Sequence, residues 1–201
     1  MKLNLYQIAY PVTSLGPGQR IAIWVAGCKK RCVGCISPEI QDPGRGKLIK
    51  NDELVSHLLK IPHTFDGVTI SGGEPFDQAD ALSDLIMTLK RNRTEWTAIV
   101  YSGYCLITLK KRESCCSLLE NTDVLIDGPF RSQIPPTNSL TGSGNQHIHF
   151  LSSKIHSIEQ LTNNNRNDEV NIGYGQGCDT MLIGVFGSEK RKKYLELLRG
   201  E

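Results

Sequence analysis

An open, partial parallel β/α barrel is the fold class this sequence predicts, on three observations. Short apolar runs rich in β-formers recur at residues 21–26, 67–71, 97–101 and 123–126. Segments with apolar residues at helical spacing lie between them, the alternation of βαβ units around a parallel sheet. The motifs that carry chemistry each fall just after one of these strands, where such sheets bind ligands. Crossovers between parallel strands are right-handed almost without exception, so the sheet curls one way.

The elements follow in order. Ile21–Ala26 is apolar throughout and ends at Gly27, as a strand buried on both faces requires. Asn51 or Asp52 caps a helix carrying Leu54, Leu58 and Leu59. Gly67–Ser71 is the second strand. Asp77 or Asp80 begins a helix with Ala81, Leu82, Leu85, Ile86 and Leu89 on one face and basic residues at its end. Thr97–Tyr101 is a strand, 105–120 a helix, and Asp123–Ile126 a strand. Residues 131–146, rich in Ser, Pro, Asn and Gly, form a long loop. Gln146–Leu151 and Met181–Phe186 read as further strands, the polar stretch 162–168 as a loop, and Ser188 as the cap of a last helix. Residues 1–151 are expected to form the core and 152–201 a C-terminal extension packed on it.

Length and composition narrow the function. The 201 residues suffice for one domain with a real core. Lys and Arg number 23 against 21 Asp and Glu, a net charge of +2 that argues against a strongly basic nucleic-acid clamp. No apolar run reaches the ~20 residues of a membrane helix, and the first residues lack a secretory apolar region. A cytoplasmic protein is expected. Seven cysteines in that compartment point to metal or redox chemistry rather than a disulfide framework.

Three of the seven, Cys28, Cys32 and Cys35, form a C-x3-C-x2-C cluster at the exit of the first predicted strand. Thiolates suit zinc or iron–sulfur centres, and closed sites of either kind use four ligands. No fourth Cys or His stands close by, so one metal position stays open. Lys29, Lys30 and Arg31 between the thiols are expected to lower their pKa. Ser71-Gly72-Gly73-Glu74-Pro75 ends the second strand. Its glycines let backbone approach a ligand, and its carbonyls can accept from an ammonium group, whereas Glu74 would repel phosphate.

The cysteine spacing and the Gly-Gly-Glu-Pro segment together resemble the radical S-adenosylmethionine superfamily. The resemblance implies a [4Fe–4S] cluster on Cys28, Cys32 and Cys35, whose open iron chelates S-adenosylmethionine, with Gly72, Gly73, Glu74 and Pro75 orienting the amino group. Further strings resemble the anaerobic ribonucleoside-triphosphate reductase-activating family of glycyl-radical-enzyme activases. These are Gly16-Pro17-Gly18-Gln19-Arg20, Pro38-Glu39, Tyr101-Ser102-Gly103-Tyr104, Asp123–Phe130 and Gly142–Gln146. That likeness places Ser102 and Gly103 beside the cofactor. It also implies a large glycyl-radical enzyme as protein substrate and a flavodoxin- or ferredoxin-like electron donor. Leu15, Ile36-Ser37 and His147 depart from the family pattern without touching the cluster ligands.

Cys105, Cys115, Cys116 and Cys178 lack the spacing of a second cluster and read as ordinary small residues. His147 and His149 share one strand face but lack a third ligand. Two other functions compete with the activase: a radical enzyme acting directly on a small molecule, nucleobase or peptide, and a metal-stabilised nucleic-acid-binding module. The missing fourth ligand and the Gly72–Pro75 segment count against the second of these.

Overall fold

The computed structural model describes residues 1–157, 160–161, 170–174, 180–185, 192–194 and 196–197. Its centre is a seven-stranded sheet. Parallel strands β2 (Arg20–Val25), β4 (Gly67–Gly72), β5 (Thr97–Ser102) and β6 (Val124–Asp127) lie side by side in chain order. Antiparallel strands extend both flanks. β1 (Lys2–Val12) and β3 (Lys47–Lys50) lie beyond β2, and β7 (His147–Phe150) pairs with β6. The sheet therefore has two edges, β3 and β7, and does not close.

The faces of the sheet are covered differently. Ile21, Ile23 and Val25 of β2, Val68 and Ile70 of β4, and Ala98 and Val100 of β5 point to one face. There they meet Leu54 and Leu58 of helix α1 (Asn51–Leu59), Leu82, Leu85, Ile86 and Leu89 of α2 (Ala79–Asn92), and Cys115 and Leu118 of α4 (Glu113–Asn121). The intervening residues face the other way. Ile99, Val124 and Ile126 pack with Leu140, Ile155 and Leu161, and Ala22 packs with Val12, Leu15 and Ile183. Ile183 belongs to a hairpin of β8 (Asn171–Tyr174) and β9 (Thr180–Ile183). Asn171 Oδ1 accepts from the backbone N–H groups of Thr13 and Ser14, and Ser14 Oγ donates to the Ile183 carbonyl.

Several elements differ from the sequence reading. β1 escapes a period-2 search because register shifts at Leu5/Gln7 and Ala9/Val12 break its alternation. The helix expected over 105–120 is two, α3 (Leu106–Leu109) and α4, separated by an extended Arg112. One continuous helix would set Leu109 and Cys115, six residues apart, some 120° from each other; the break lets both be fully buried. Asn51 is no cap: its buried Nδ2 donates to the Ala81 carbonyl and Asp84 Oδ2, tying α1 to α2. The 162–168 loop and the Ser188 cap lie outside the described residues; 192–194 and 196–197 are helical.

At the entry end of the parallel strands Arg20 is fully buried. It makes five hydrogen bonds, to Thr69 Oγ1, Thr97 Oγ1 and the carbonyls of Pro17, Val68 and Thr97, bridging β2, β4 and β5. Burial pulls its pKa down to about 10, against the opposing pull of the Asp66 and Asp123 carboxylates. Replacing it would strand several buried acceptors at once. Arg20→Met is expected to cost about 3 kcal/mol or more, read as a lower denaturant midpoint. An unchanged midpoint would show that the bonds contribute nothing net.

Candidate metal centre

The three clustered thiols sit on the loop that leaves β2. Gly27 and Cys28 anchor its start through N–H bonds to the carbonyls of Ile40 and Gln41. Cys35 N–H returns to the Cys32 carbonyl at 3.2 Å. Each cysteine follows a residue with positive φ: Gly27 (98°), Arg31 (48°) and Gly34 (75°). Two are glycines, for which this conformation is free; Arg31 bears its cost. All three thiols are partly exposed and none is in a disulfide.

The Gly-Gly-Glu-Pro turn lies directly against this loop. Gly73 N–H donates to the Val25 carbonyl and Glu74 N–H to the Gly27 carbonyl, at 2.7 and 2.8 Å. A Cβ on Gly73 would stand 2.2 Å from the Gly27 carbonyl oxygen, so only glycine permits the approach. With their N–H groups occupied, what the backbone of Gly73 and Glu74 can offer a ligand is carbonyl oxygen.

Glu74 itself is 1% exposed. Its Oε1 accepts from Phe76 N–H and Ser102 Oγ, and its Oε2 from Gly103 N–H. Burial pushes its carboxyl above the usual range, and the three donors oppose that shift. Glu74 thus binds the loop after β4 to the loop after β5, and Ser102 and Gly103 are brought to it from β5.

Next to them, Lys30 places its ammonium 3.7 Å from the centroid of the Tyr104 ring. Tyr104 Oη donates to Asp77 Oδ1, and the Arg112 guanidinium lies 4.9 Å from the same ring. The 131–146 loop joins the rim from the other side. Gln146 Oε1 accepts from Gly142 and Ser143 N–H, its Nε2 donates to the Gly128 carbonyl, and Asn145 Nδ2 donates to the Pro129 carbonyl. Sequence reasoning gave Asn145 and Gln146 no role; the Gly142–Gln146 string was their only signal.

Burial raises the Cys28 thiol, and the backbone N–H groups of Lys30 and Arg31 oppose that shift. Cys115 is a core residue, Cys105 and Cys116 are exposed, and Cys178 lies outside the described residues. His149 Nε2 is 3.1 Å from Asp127 Oδ2 but misaligned for a hydrogen bond, and His147 Nδ1 is 3.7 Å from Oδ1.

Among the described residues no three His, Cys, Asp or Glu side chains converge on a single ion. Iron–sulfur clusters are held by cysteine thiolates, and three unpaired thiols on one loop fit such a cluster. Carbonyl oxygens of the turn beside them fit an ammonium group. Two buried oxygens at the same strand ends, Asp127 Oδ1 and Asn145 Oδ1, have no hydrogen-bond partner among the described residues, so donors on a polar ligand would fit there too.

The family described as a 4Fe-4S single cluster domain matches residues 14–149. The chain is 30% identical over 149 residues to the anaerobic ribonucleoside-triphosphate reductase-activating protein of Enterobacteria phage T4, covering 71% of this chain and 92% of that one. The Vibrio cholerae protein of that name is 31% identical over 158 residues, with coverages of 73% and 97%. The chain belongs to the radical S-adenosylmethionine family of glycyl-radical-enzyme activases. The pyruvate formate-lyase-activating enzyme of Staphylococcus aureus is also similar, 29% identical over 167 residues that span 80% of this activase and 66% of that protein. The activase is an enzyme whose cofactors are a [4Fe–4S] cluster and S-adenosylmethionine. None of its helices is long and apolar enough to cross a membrane among the described residues.

The Glu74 junction can be tested without cofactor. Gln in its place carries one acceptor and one donor, so one end must face a backbone N–H. Glu74→Gln is expected to cost about 1–3 kcal/mol, measured by denaturant unfolding of the apoprotein. Stability equal to the parent would contradict the bonding described.

Proposed function

We propose that Cys28, Cys32 and Cys35 each ligate one iron of the cluster, and that the Gly72–Pro75 turn with Ser102 and Gly103 holds S-adenosylmethionine. The single observation that carries this reading is the backbone contact between the Cys28 loop and the Gly73–Glu74 turn. It supports a site in which thiolates and ammonium acceptors lie side by side. A bound [4Fe–4S] cluster and S-adenosylmethionine would supply reductive cleavage of the sulfonium, with the electron coming from an external protein donor, and removal of a hydrogen atom from the substrate.

The chain's own part is to bind and to orient. Carbonyl oxygens of the turn fix the amino group, and the buried Glu74 keeps the turn from moving relative to Gly103. The substrate on this reading is a backbone glycine of an anaerobic ribonucleotide reductase-like enzyme. Glycine has no Cβ to block approach to its Cα hydrogen. A peptide loop needs an open mouth, and the sheet is open between β3 and β7. The described part of residues 152–201 meets the core through Ile155, Leu161 and Ile183. The described bonds of its hairpin to Thr13 and Ser14 lie at the strand-entry end, away from the thiols, which favours a protein substrate over a small one enclosed by that segment. Exposed Arg31 and Val33 on the thiol loop suit an acidic flavodoxin- or ferredoxin-like donor.

Anaerobic reconstitution is expected to yield a brown protein whose reduced EPR signal changes on adding S-adenosylmethionine. Incubation with an anaerobic ribonucleotide reductase should then give a glycyl-type EPR doublet on the reductase. Cys28→Ala, Cys32→Ala and Cys35→Ala should each abolish 5′-deoxyadenosine formation. Full activity in any one of them would refute its assignment. Rapid 5′-deoxyadenosine release with no protein radical would instead point to a small substrate.

A further inference from the structure

We propose that Lys30 is a positioning residue: seated on the Tyr104 ring, it latches the thiol-bearing loop to the loops that follow β4 and β5. The proposal rests on the reading that this loop carries the cluster. Lys30 falls between Cys28 and Cys32, and its ammonium lies 3.7 Å from the ring centroid, well inside the range of a cation–π contact. Tyr104 is itself fixed. Its hydroxyl donates to Asp77 at 3.1 Å, in the turn just after Glu74, and Arg112 lies against both the ring and Asp77.

Gly103 makes room for the latch. A Cβ there would stand 3.2 Å from Lys30 Cγ and 3.3 Å from Glu74 Oε2, so the lysine stem runs over the glycine beside the buried carboxylate. Lys29 and Arg31, of the same charge, flank Lys30 but are exposed. Charge near the thiols is therefore common to three residues. The contact with the neighbouring loop belongs to Lys30, and it fixes the middle of a segment whose backbone is otherwise anchored at Gly27 and Cys28.

The test uses the reconstituted holoprotein and follows iron loss to a chelator together with the EPR change on adding S-adenosylmethionine. Lys30→Met is expected to lose iron about 2- to 30-fold faster than the parent, the span such a contact supports, and to show a broadened or diminished EPR response. Lys29→Met, which removes the same charge one residue away, should match the parent. Lys30→Arg should restore the parent rate, because a guanidinium also sits on an aromatic face. Tyr104→Leu should reproduce Lys30→Met, and the double variant should be no worse than either. Equal behaviour of Lys30→Met and Lys29→Met, or additive effects in the double variant, would overturn the latch while leaving the cluster reading intact. A parent chain that takes up no iron–sulfur cluster would overturn both.

Discussion

One buried carboxylate holds the working end of this molecule together. Glu74 accepts hydrogen bonds from Phe76, Ser102 and Gly103, which belong to two different strand-exit loops. In so poorly solvated a place, leaving any of these donors unmet is costly. The turn that carries Glu74 is bonded in its backbone to the thiol loop, through Gly73 to Val25 and Glu74 to Gly27. Exits of β2, β4 and β5 therefore behave as one rigid piece. Such rigidity is what a site needs when its chemistry depends on where a reactive atom is released.

The rest of the fold supplies support for that piece from two sides. Helices α1, α2 and α4 bury one face of the sheet, an ordinary arrangement for parallel strands. The other face is covered by Leu140, Ile155 and Leu161 over β5 and β6, and by Ile183 over β1 and β2. The phage T4 and Vibrio cholerae relatives align over 92% and 97% of their own length but only 71% and 73% of this chain. The activase thus adds residues that those proteins lack, and the hairpin β8–β9 lies beyond the matched span of 14–149.

Much of this was readable in the sequence. The four parallel strands announce themselves as β-branched runs because they are buried on both faces. The faces of α1 and α2 follow from apolar spacing, and the thiol loop from its three cysteines. The antiparallel flank was not legible: bulges scramble the alternation of β1, and β3 is only four residues long and mostly exposed. Glu74 was legible as an acid next to the cofactor turn, but not as the bridge between loops. Its partners are a serine hydroxyl and two backbone N–H groups, and backbone groups carry no signal in residue identity. Asn145 and Gln146 were hidden for the same reason, since the four groups their side chains bind, the carbonyls of Gly128 and Pro129 and the N–H groups of Gly142 and Ser143, are all anonymous main chain.

The left-handed residues ahead of the three cysteines give the spacing of the motif a geometric meaning. Each reversal at Gly27, Arg31 and Gly34 sets the direction in which the next thiol leaves the chain. Lys29 and Val33, which are exposed, can vary without disturbing that sequence of turns. Inserting or deleting one residue between the cysteines would shift a thiol out of phase with its reversal, however suitable the added side chain. The loop thus conserves a rhythm of backbone handedness, and residue count is the quantity that encodes it.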